Sequence, residues 1–134
     1  LCKGRLDRFC TWNGESFVLD LKTCMDARLR PFGYEILKYH YHVKAAWYMD
    51  GLDVLAPAQR RFVWIAAEKH PPYEFAMYEP DDGMLAEGRK EWRRLLDAYA
   101  ACKAKNEWPG YAEGIEPVSL PAWARGATDL GDDE

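Results

Sequence analysis

Three charged residues near the start of the chain have the types and spacing of a metal-binding site. Asp7 lies in "GRLDR", and Asp20 and Lys22 lie in "FVLDLKT", residues 17–23. An apolar run of this kind predicts a buried strand, where a charged side chain is costly unless it is paired. Hard carboxylate ligands favour Mg²⁺ or Mn²⁺ over zinc. A solvated strand face with an ordinary Asp–Lys salt bridge is the alternative interpretation.

The turn between the two acidic segments is predicted to bring them together. Asn13-Gly14 separates strand-like runs at 3–12 and 16–22, and Asn-Gly is the strongest short signal for a β-hairpin. A two-residue turn sets Asp7 directly across from Asp20. Like charges opposed in this way destabilise a sheet unless a cation lies between them. A divalent cation is the natural neutraliser, but on the hairpin alone the solvated, salt-bridged strand face is the favoured interpretation.

Strand alternation predicts which side chains of the second strand share a face. Lys22 lies on the same face as Asp20. We expect Phe17, Leu19 and Leu21 to point the other way, into apolar packing. One face of this strand then carries an acid and a base together.

The rest of the chain alternates between helical and strand patterns. We expect a helix from residue 31 to about 50 that ends at Gly51, strands at 61–69 and 73–79, and a helix at 82–105. The last helix has an apolar stripe that we expect to be buried, formed by Leu85, Trp92, Leu95, Leu96, Tyr99 and Cys102. This order of elements predicts an α/β domain, a mixed β-sheet flanked by helices.

Length and composition predict the class of protein. With 134 residues, 49% of them hydrophobic, we expect one domain at 1–128 and an acidic tail at 129–134. The sequence has no run of 18 apolar residues and no apolar block at its N-terminus, so we expect a cytoplasmic protein without a membrane span. Its four cysteines form no C-x-x-C pair, which argues against zinc-knuckle or iron–sulfur sites.

The net charge does not exclude nucleic acid as a partner. Four acidic residues in the tail account for the whole formal charge of −4. The balanced remainder contains local basic clusters that allow a basic groove, namely Arg60-Arg61, Arg89-Lys90 and Arg93-Arg94.

An ordered set of segments resembles the PD-(D/E)XK nuclease superfamily, and most closely the catalytic domain of exodeoxyribonuclease VIII, the RecE-type exonucleases of prophages. The set runs through "GRLDR", "FVLDLKT", "YEILKYHYHVKAAWYMDG", "FVWIAAEKHPPYEFAMYE", "GRKEWRRLLDAYAACKAKNEWPGY" and "LPAWA". The resemblance implies a restriction-endonuclease-like core. That family places a helix and a strand before its first acidic strand, so we expect an N-terminally truncated domain.

The resemblance also implies roles for the charged residues. Asp7 and Asp20 match the acids that hold the metal, and the carbonyl of Leu21 is a further expected ligand. Lys22 matches the lysine that activates water and stabilises the phosphate, so Asp7, Asp20 and Lys22 are the expected catalytic residues. Such a site uses Mg²⁺ or Mn²⁺ to polarise the phosphoryl oxygen and generate a nucleophile.

One helix position departs from the family pattern. The family has a Gln four residues before a Tyr, and this chain has Lys44 and Tyr48. Their i, i+4 spacing places both on one helix face, and we expect them to bind or position DNA. Glu35 or Glu68 offers an additional carboxylate, without a motif that requires it.

Two histidines nearby, His40 and His42, lie at positions i and i+2 of the predicted helix. We expect their side chains to point to nearly opposite sides, so that they cannot share a metal ion.

The implied function is a metal-dependent exonuclease that degrades linear double-stranded DNA from an end during recombination. The family forms a ring-shaped homo-oligomer and works with a single-strand annealing protein. The alternative is a catalytically impaired DNA-binding or assembly module with the same fold, which Lys44 and the missing upstream elements favour.

Overall fold

The computed structural model of the chain describes residues 2–112 and 114–124. It contains a four-stranded mixed sheet with helices, which confirms the predicted α/β class. The elements are β1 (Arg8–Trp12), β2 (Glu15–Cys24), α1 (Leu29–Lys38), α2 (Tyr41–Leu55), β3 (Arg61–Glu68), β4 (Phe75–Tyr78), α3 (Asp82–Lys105) and a short 3₁₀ helix at Ala122–Ala124.

The predicted hairpin and its register are confirmed. Asn13 and Gly14 both have positive φ, 48° and 82°, as a two-residue hairpin turn of this type requires. The ladder runs from the pair Trp12–Glu15 to the pair Arg8–Leu19. It therefore ends one pair before Asp7 and Asp20 because β1 begins at Arg8, later than predicted.

The strand order is β1-β2-β3-β4, with β2 and β3 parallel at the centre and antiparallel strands at both edges. A parallel pair needs a long crossover connection, and α1 and α2 supply it between β2 and β3. Asp20 lies on the central strand β2, beside Trp64 of β3.

One face of the sheet forms the core with α1 and α2. The buried residues of this core include Val18 and Cys24 of β2, Phe62 and Trp64 of β3, and Phe32 of α1. Asp20 shares this face and is also completely buried.

The prediction that Phe17, Leu19 and Leu21 point into apolar packing is therefore wrong. Phe17 and Leu19 are half-buried, and Leu21 is 55% exposed. The physical reason is that the helices pack on the face that carries Asp20, so that strand alternation turns these three side chains away from the core.

The helix predicted at 31–50 is two helices. His40 adopts the left-handed conformation, with φ 55° and ψ 35°, and separates α1 from α2. Gly51 does not end a helix but lies inside α2, which continues to Leu55. The residue after Leu55 precedes Pro57, and a residue before proline is disfavoured in the α conformation, which accounts for the end of α2.

The bounds predicted for α3 are confirmed, and its predicted buried stripe is confirmed only in part, since Leu85, Trp92 and Cys102 are half-buried. Leu95, Leu96 and Tyr99 are exposed, and Gly88 is the fully buried residue of the helix. A Cβ atom on Gly88 would lie 2.4 Å from the backbone oxygen of His42. The helix thus approaches the start of α2 at a glycine, while Leu85 of the predicted stripe packs against the core and Trp92 packs edge-on against Trp47 of α2.

The described chain divides into two compact units at Ala100–Ala101, and the sheet, α1 and α2 belong to the first. In the second unit, Asn106 has φ 56° just after the end of α3. The predicted acidic tail at 129–134 lies outside the described residues. Within residues 2–112 and 114–124, every helix is too short or too polar to cross a membrane.

Candidate active site

The Asp20 carboxylate is the centre of the candidate site. Its side chain is completely buried, and each of its two oxygens contacts a lysine. Lys22 Nζ donates to Oδ2, and Lys44 Nζ donates to Oδ1 at 2.6 Å. A buried carboxylate needs such charged donors, since an unpaired charge in the interior is strongly unfavourable.

Asp7 reaches the same strand from the end of β1. Its Oδ2 accepts a hydrogen bond of 3.1 Å from the backbone N–H of Leu21. In an antiparallel pair, the N–H and C=O of one residue point to the same neighbouring strand. The Leu21 N–H donates to Asp7, so the Leu21 carbonyl points to the same side of β2. This side lies beyond the last pair of the β1–β2 ladder, Arg8–Leu19.

Lys22 is held between a carboxylate and an aromatic ring. Its side chain is 12% exposed, and its Nζ lies 4.8 Å from the centroid of Tyr41. Burial raises the pKa of Tyr41, and the negative charge of Glu35 adds to this effect. Tyr41 is thus a neutral neighbour of the lysine, and no motif in the sequence identified it as part of the site.

Lys44 and Tyr48 lie on one face of α2, as their spacing predicts. Partial burial opposes the charge on Lys44, but the hydrogen bond that Lys44 donates to Asp20 and the negative charge of Asp20 outweigh burial and raise the pKa of Lys44. Asp7 contributes in the same direction, so its carboxylate lies within electrostatic range of this amine. Lys44 Nζ lies 5.1 Å from the centroid of Tyr48.

Tyr48 also fixes the segment that precedes Asp7. Its hydroxyl donates to the backbone carbonyl of Arg5 at 2.5 Å. A Cβ atom on Gly4 would lie 2.9 Å from the Tyr48 ring, so the backbone passes close to that ring. Tyr48 is therefore a structural support for the approach of Asp7 to β2.

The other predicted carboxylates do not join this pair. Glu68 accepts a 3.0 Å hydrogen bond from the backbone N–H of Ala27. Glu35 is half-buried near Tyr41 and Cys24, and its charge helps to raise the pKa of both. Across the part of the chain that the structure describes, no three His, Cys, Asp or Glu side chains form a group suited to a metal ion.

The expected orientation of the two histidines is wrong. The rings of His40 and His42 stack, with 6.0 Å between their centroids, rather than pointing to opposite sides. The cause is the left-handed conformation of His40, which places it outside the regular turn of α2.

The donor set fits a hard divalent cation. Asp7, Asp20 and the Leu21 carbonyl offer only oxygen atoms, and Mg²⁺ is typically held by one or two carboxylates together with water and substrate phosphate. The site therefore does not need a third acidic side chain. Lys44 does not fit such a magnesium site, because its amine contacts the Asp20 oxygen Oδ1, which a metal would use.

Tyr48 also lines a cavity of about 680 Å³. Its lining is mainly apolar and includes Trp47, Leu52, Trp92 and Leu96. These side chains do not suit a phosphodiester, and Asp20 and Lys22 are not among the lining residues.

Comparisons with known proteins agree with this geometry. Residues 1–121 match the profile of a PDDEXK-like domain of unknown function (DUF3799). The fold is similar to the crystal structure of a Eubacterium rectale protein provisionally named an exonuclease, with a TM-score of 0.58 and 14% identity. The similarity covers 82% of this chain and 47% of the other, so this chain spans about half of that structure. No curated protein gives a match.

Proposed function

Since the chain belongs to the family of PDDEXK-like domains of unknown function, we propose that it is a metal-dependent deoxyribonuclease. Its mixed sheet and helices form an α/β core of the restriction-endonuclease type. The observation that carries the proposal is the meeting of Asp7, the buried Asp20 and Lys22 at the end of the β1–β2 ladder. Two acids and a lysine close to the end of the β1–β2 ladder suit the hydrolysis of a phosphodiester.

The proposed roles follow from the chemistry of the side chains. Asp7, Asp20 and the Leu21 carbonyl would hold Mg²⁺ or Mn²⁺, which supplies charge neutralisation and lowers the pKa of water when bound. Lys22, fixed by Asp20 and Tyr41, presents an ammonium group to the phosphate oxygens. A preorganised charge of this kind stabilises the transition state without having to reorganise.

We further propose that the substrate is linear double-stranded DNA, degraded from an end in a recombination pathway. This finer assignment is supported by the resemblance to RecE-type exonucleases. The same resemblance supports a ring-shaped homo-oligomer and a single-strand annealing protein as partner.

A second candidate function is a DNA-binding or assembly module that has lost catalysis. The ion pair between Lys44 and Asp20 favours it, because this contact engages a carboxylate oxygen that a catalytic metal would use. The two candidates differ in one property, which is hydrolysis in the presence of a divalent metal.

The test is digestion of an end-labelled linear duplex and of a covalently closed circle of the same sequence in Mg²⁺. We expect digestion of the linear DNA alone, with a loss on the order of a hundredfold in Asp20→Asn, as for removal of a group that organises transition-state charge. Asp97→Asn removes the same charge from an exposed position of α3 and should retain activity. DNA binding without any metal-dependent cleavage would favour the second candidate instead.

A further inference from the structure

The two lysines that contact Asp20 are not equivalent. Lys22 comes from the same strand, and its side chain is 12% exposed and lies against Tyr41. Lys44 comes from α2, and its side chain is 36% exposed. Lys22 is thus enclosed at the site, whereas Lys44 has a partly exposed side chain with a flexible four-carbon stem.

Lys44 contacts a carboxylate oxygen of Asp20 that a metal ion would need as a ligand. Its Nζ lies 2.6 Å from Asp20 Oδ1, a distance that leaves no room for another cation on that side of the oxygen. Lys22 already contacts Oδ2, so both oxygens of the buried carboxylate are engaged. A divalent ion that approached Asp20 would also meet the positive charge of Lys44, and two like charges a few ångströms apart repel strongly where water is excluded.

We propose that Lys44 is an internal counterion of Asp20 that competes with the divalent metal. Metal binding requires the Lys44 amine to leave Asp20 Oδ1 and move towards solvent. The lysine therefore lowers the metal affinity of the site and keeps the buried carboxylate neutralised in the metal-free protein. This inference rests on the proposed metal-dependent function.

The test measures Mn²⁺ binding to the chain without DNA, from the spectroscopic signal of free Mn²⁺. Lys44→Met keeps the length of the side chain and removes its charge, and we expect about tenfold tighter binding, since a repelling charge beside the site is removed. Lys44→Arg keeps the charge and should bind within about threefold of the wild-type protein. Lys90→Met removes a lysine that is 73% exposed on α3 and should leave the affinity unchanged.

The outcomes separate this inference from the proposed function. If the wild-type protein and Lys44→Met bind Mn²⁺ equally, and Asp20→Asn does not bind it, the metal site stands and the competition is refuted. If neither the wild-type protein nor Lys44→Met binds Mn²⁺, although circular dichroism shows both to be folded, the proposed metal site fails as well. Tighter binding in Lys44→Met that Asp20→Asn abolishes supports the inference.

Discussion

Asp20 is the one charged residue without exposed surface among the residues that the structure describes. Its burial is tolerated because Lys22 and Lys44 satisfy both oxygens. Such an arrangement does not by itself stabilise a fold, since desolvation of the charges offsets much of their attraction. Its presence in the core is therefore better explained by a function of the carboxylate than by stability.

At the residue scale, the hydroxyl of Tyr48 is predicted to support Asp7. Tyr48→Phe removes the hydrogen bond to the Arg5 carbonyl and keeps the ring against Gly4. A single hydrogen bond is worth about 1 kcal/mol, so we expect Mn²⁺ affinity to fall about fivefold. Tyr34→Phe, on an exposed tyrosine of α1, is the matched control. Equal Mn²⁺ affinity in Tyr48→Phe and the wild-type protein would contradict this role.

A second prediction at this scale concerns pH. The hydrogen bond from the Arg28 side chain, followed by that from its backbone N–H, lowers the pKa of Asp26 from 3.8 to about 2. A lowered carboxyl pKa stabilises the fold above the unfolded value, and this contribution is lost as the pH falls from about 4 to about 2. In Arg28→Gln the backbone hydrogen bond remains, so we expect the pKa to rise part of the way towards 3.8.

Carboxyl NMR titration of Asp26 measures this change directly. Denaturant unfolding provides the linked result, because the stability difference between the two proteins should be largest above about pH 4 and should shrink towards pH 2. An Asp26 pKa that stays at its wild-type value in Arg28→Gln would show that the side-chain contact is not its cause.

At the element scale, the packing of α3 on α2 depends on a glycine. Gly88→Ala would place a Cβ atom 2.4 Å from the backbone oxygen of His42, and backbone cannot move aside as a flexible side chain can. We expect the free energy of unfolding to fall by about 2 kcal/mol or more, as for an overpacked interior.

Gly51→Ala is the matched control, because Gly51 lies inside α2 and has no atom within 4 Å of an added Cβ. This change should stabilise the protein by up to about 1 kcal/mol, the difference in helix propensity between alanine and glycine. Denaturant unfolding of both variants measures the contrast, and equal effects would show that α3 does not approach α2 as described.

The break between α1 and α2 is another feature of this scale. A continuous helix would place residues 40–44 at regular positions along one axis. The left-handed His40 instead starts α2 in a new direction, and Lys44 of that helix reaches Asp20. The contact between Lys44 and Asp20 thus depends on the backbone conformation of His40.

At the scale of the whole molecule, the basic clusters are largely neutralised by acids. Ion pairs join Arg60 to Asp53, Arg61 to Glu15 and Glu79, Arg89 to Asp50, Lys90 to Glu87 and Arg94 to Glu91. Arg93 lies 4.6 Å from the ring of Trp92. Most basic residues of these sequence clusters therefore have their charge balanced by a neighbouring acid.

The two faces of the sheet also differ at this scale. The face that carries Asp20 is covered by α1 and α2, whereas Leu21, Phe75 and Met77 on the other face are each more than half exposed. Exposed apolar side chains in a group of this kind commonly mark a surface that contacts other protein segments.

The local features of the site follow from sequence patterns. Asn13-Gly14 set the hairpin register, because only a tight turn with two positive φ angles joins these strands, and the register brings Asp7 to the strand of Asp20. Strand alternation placed Lys22 with Asp20, and helical spacing placed Lys44 with Tyr48. The α/β class and the bounds of α3 also followed from local periodicity.

Three features depend on how the elements pack against one another: which face of β2 is buried, where the predicted helix breaks, and the contact of Lys44 with Asp20. Alternation separates two faces but does not say which one the helices cover, so Leu21 was assigned to the wrong side. His40 carries no turn signal in the sequence, so local periodicity does not predict its left-handed conformation. The pairing of Lys44 with Asp20 joins residues 24 positions apart on different elements, and such a contact depends on how the elements pack rather than on any local pattern.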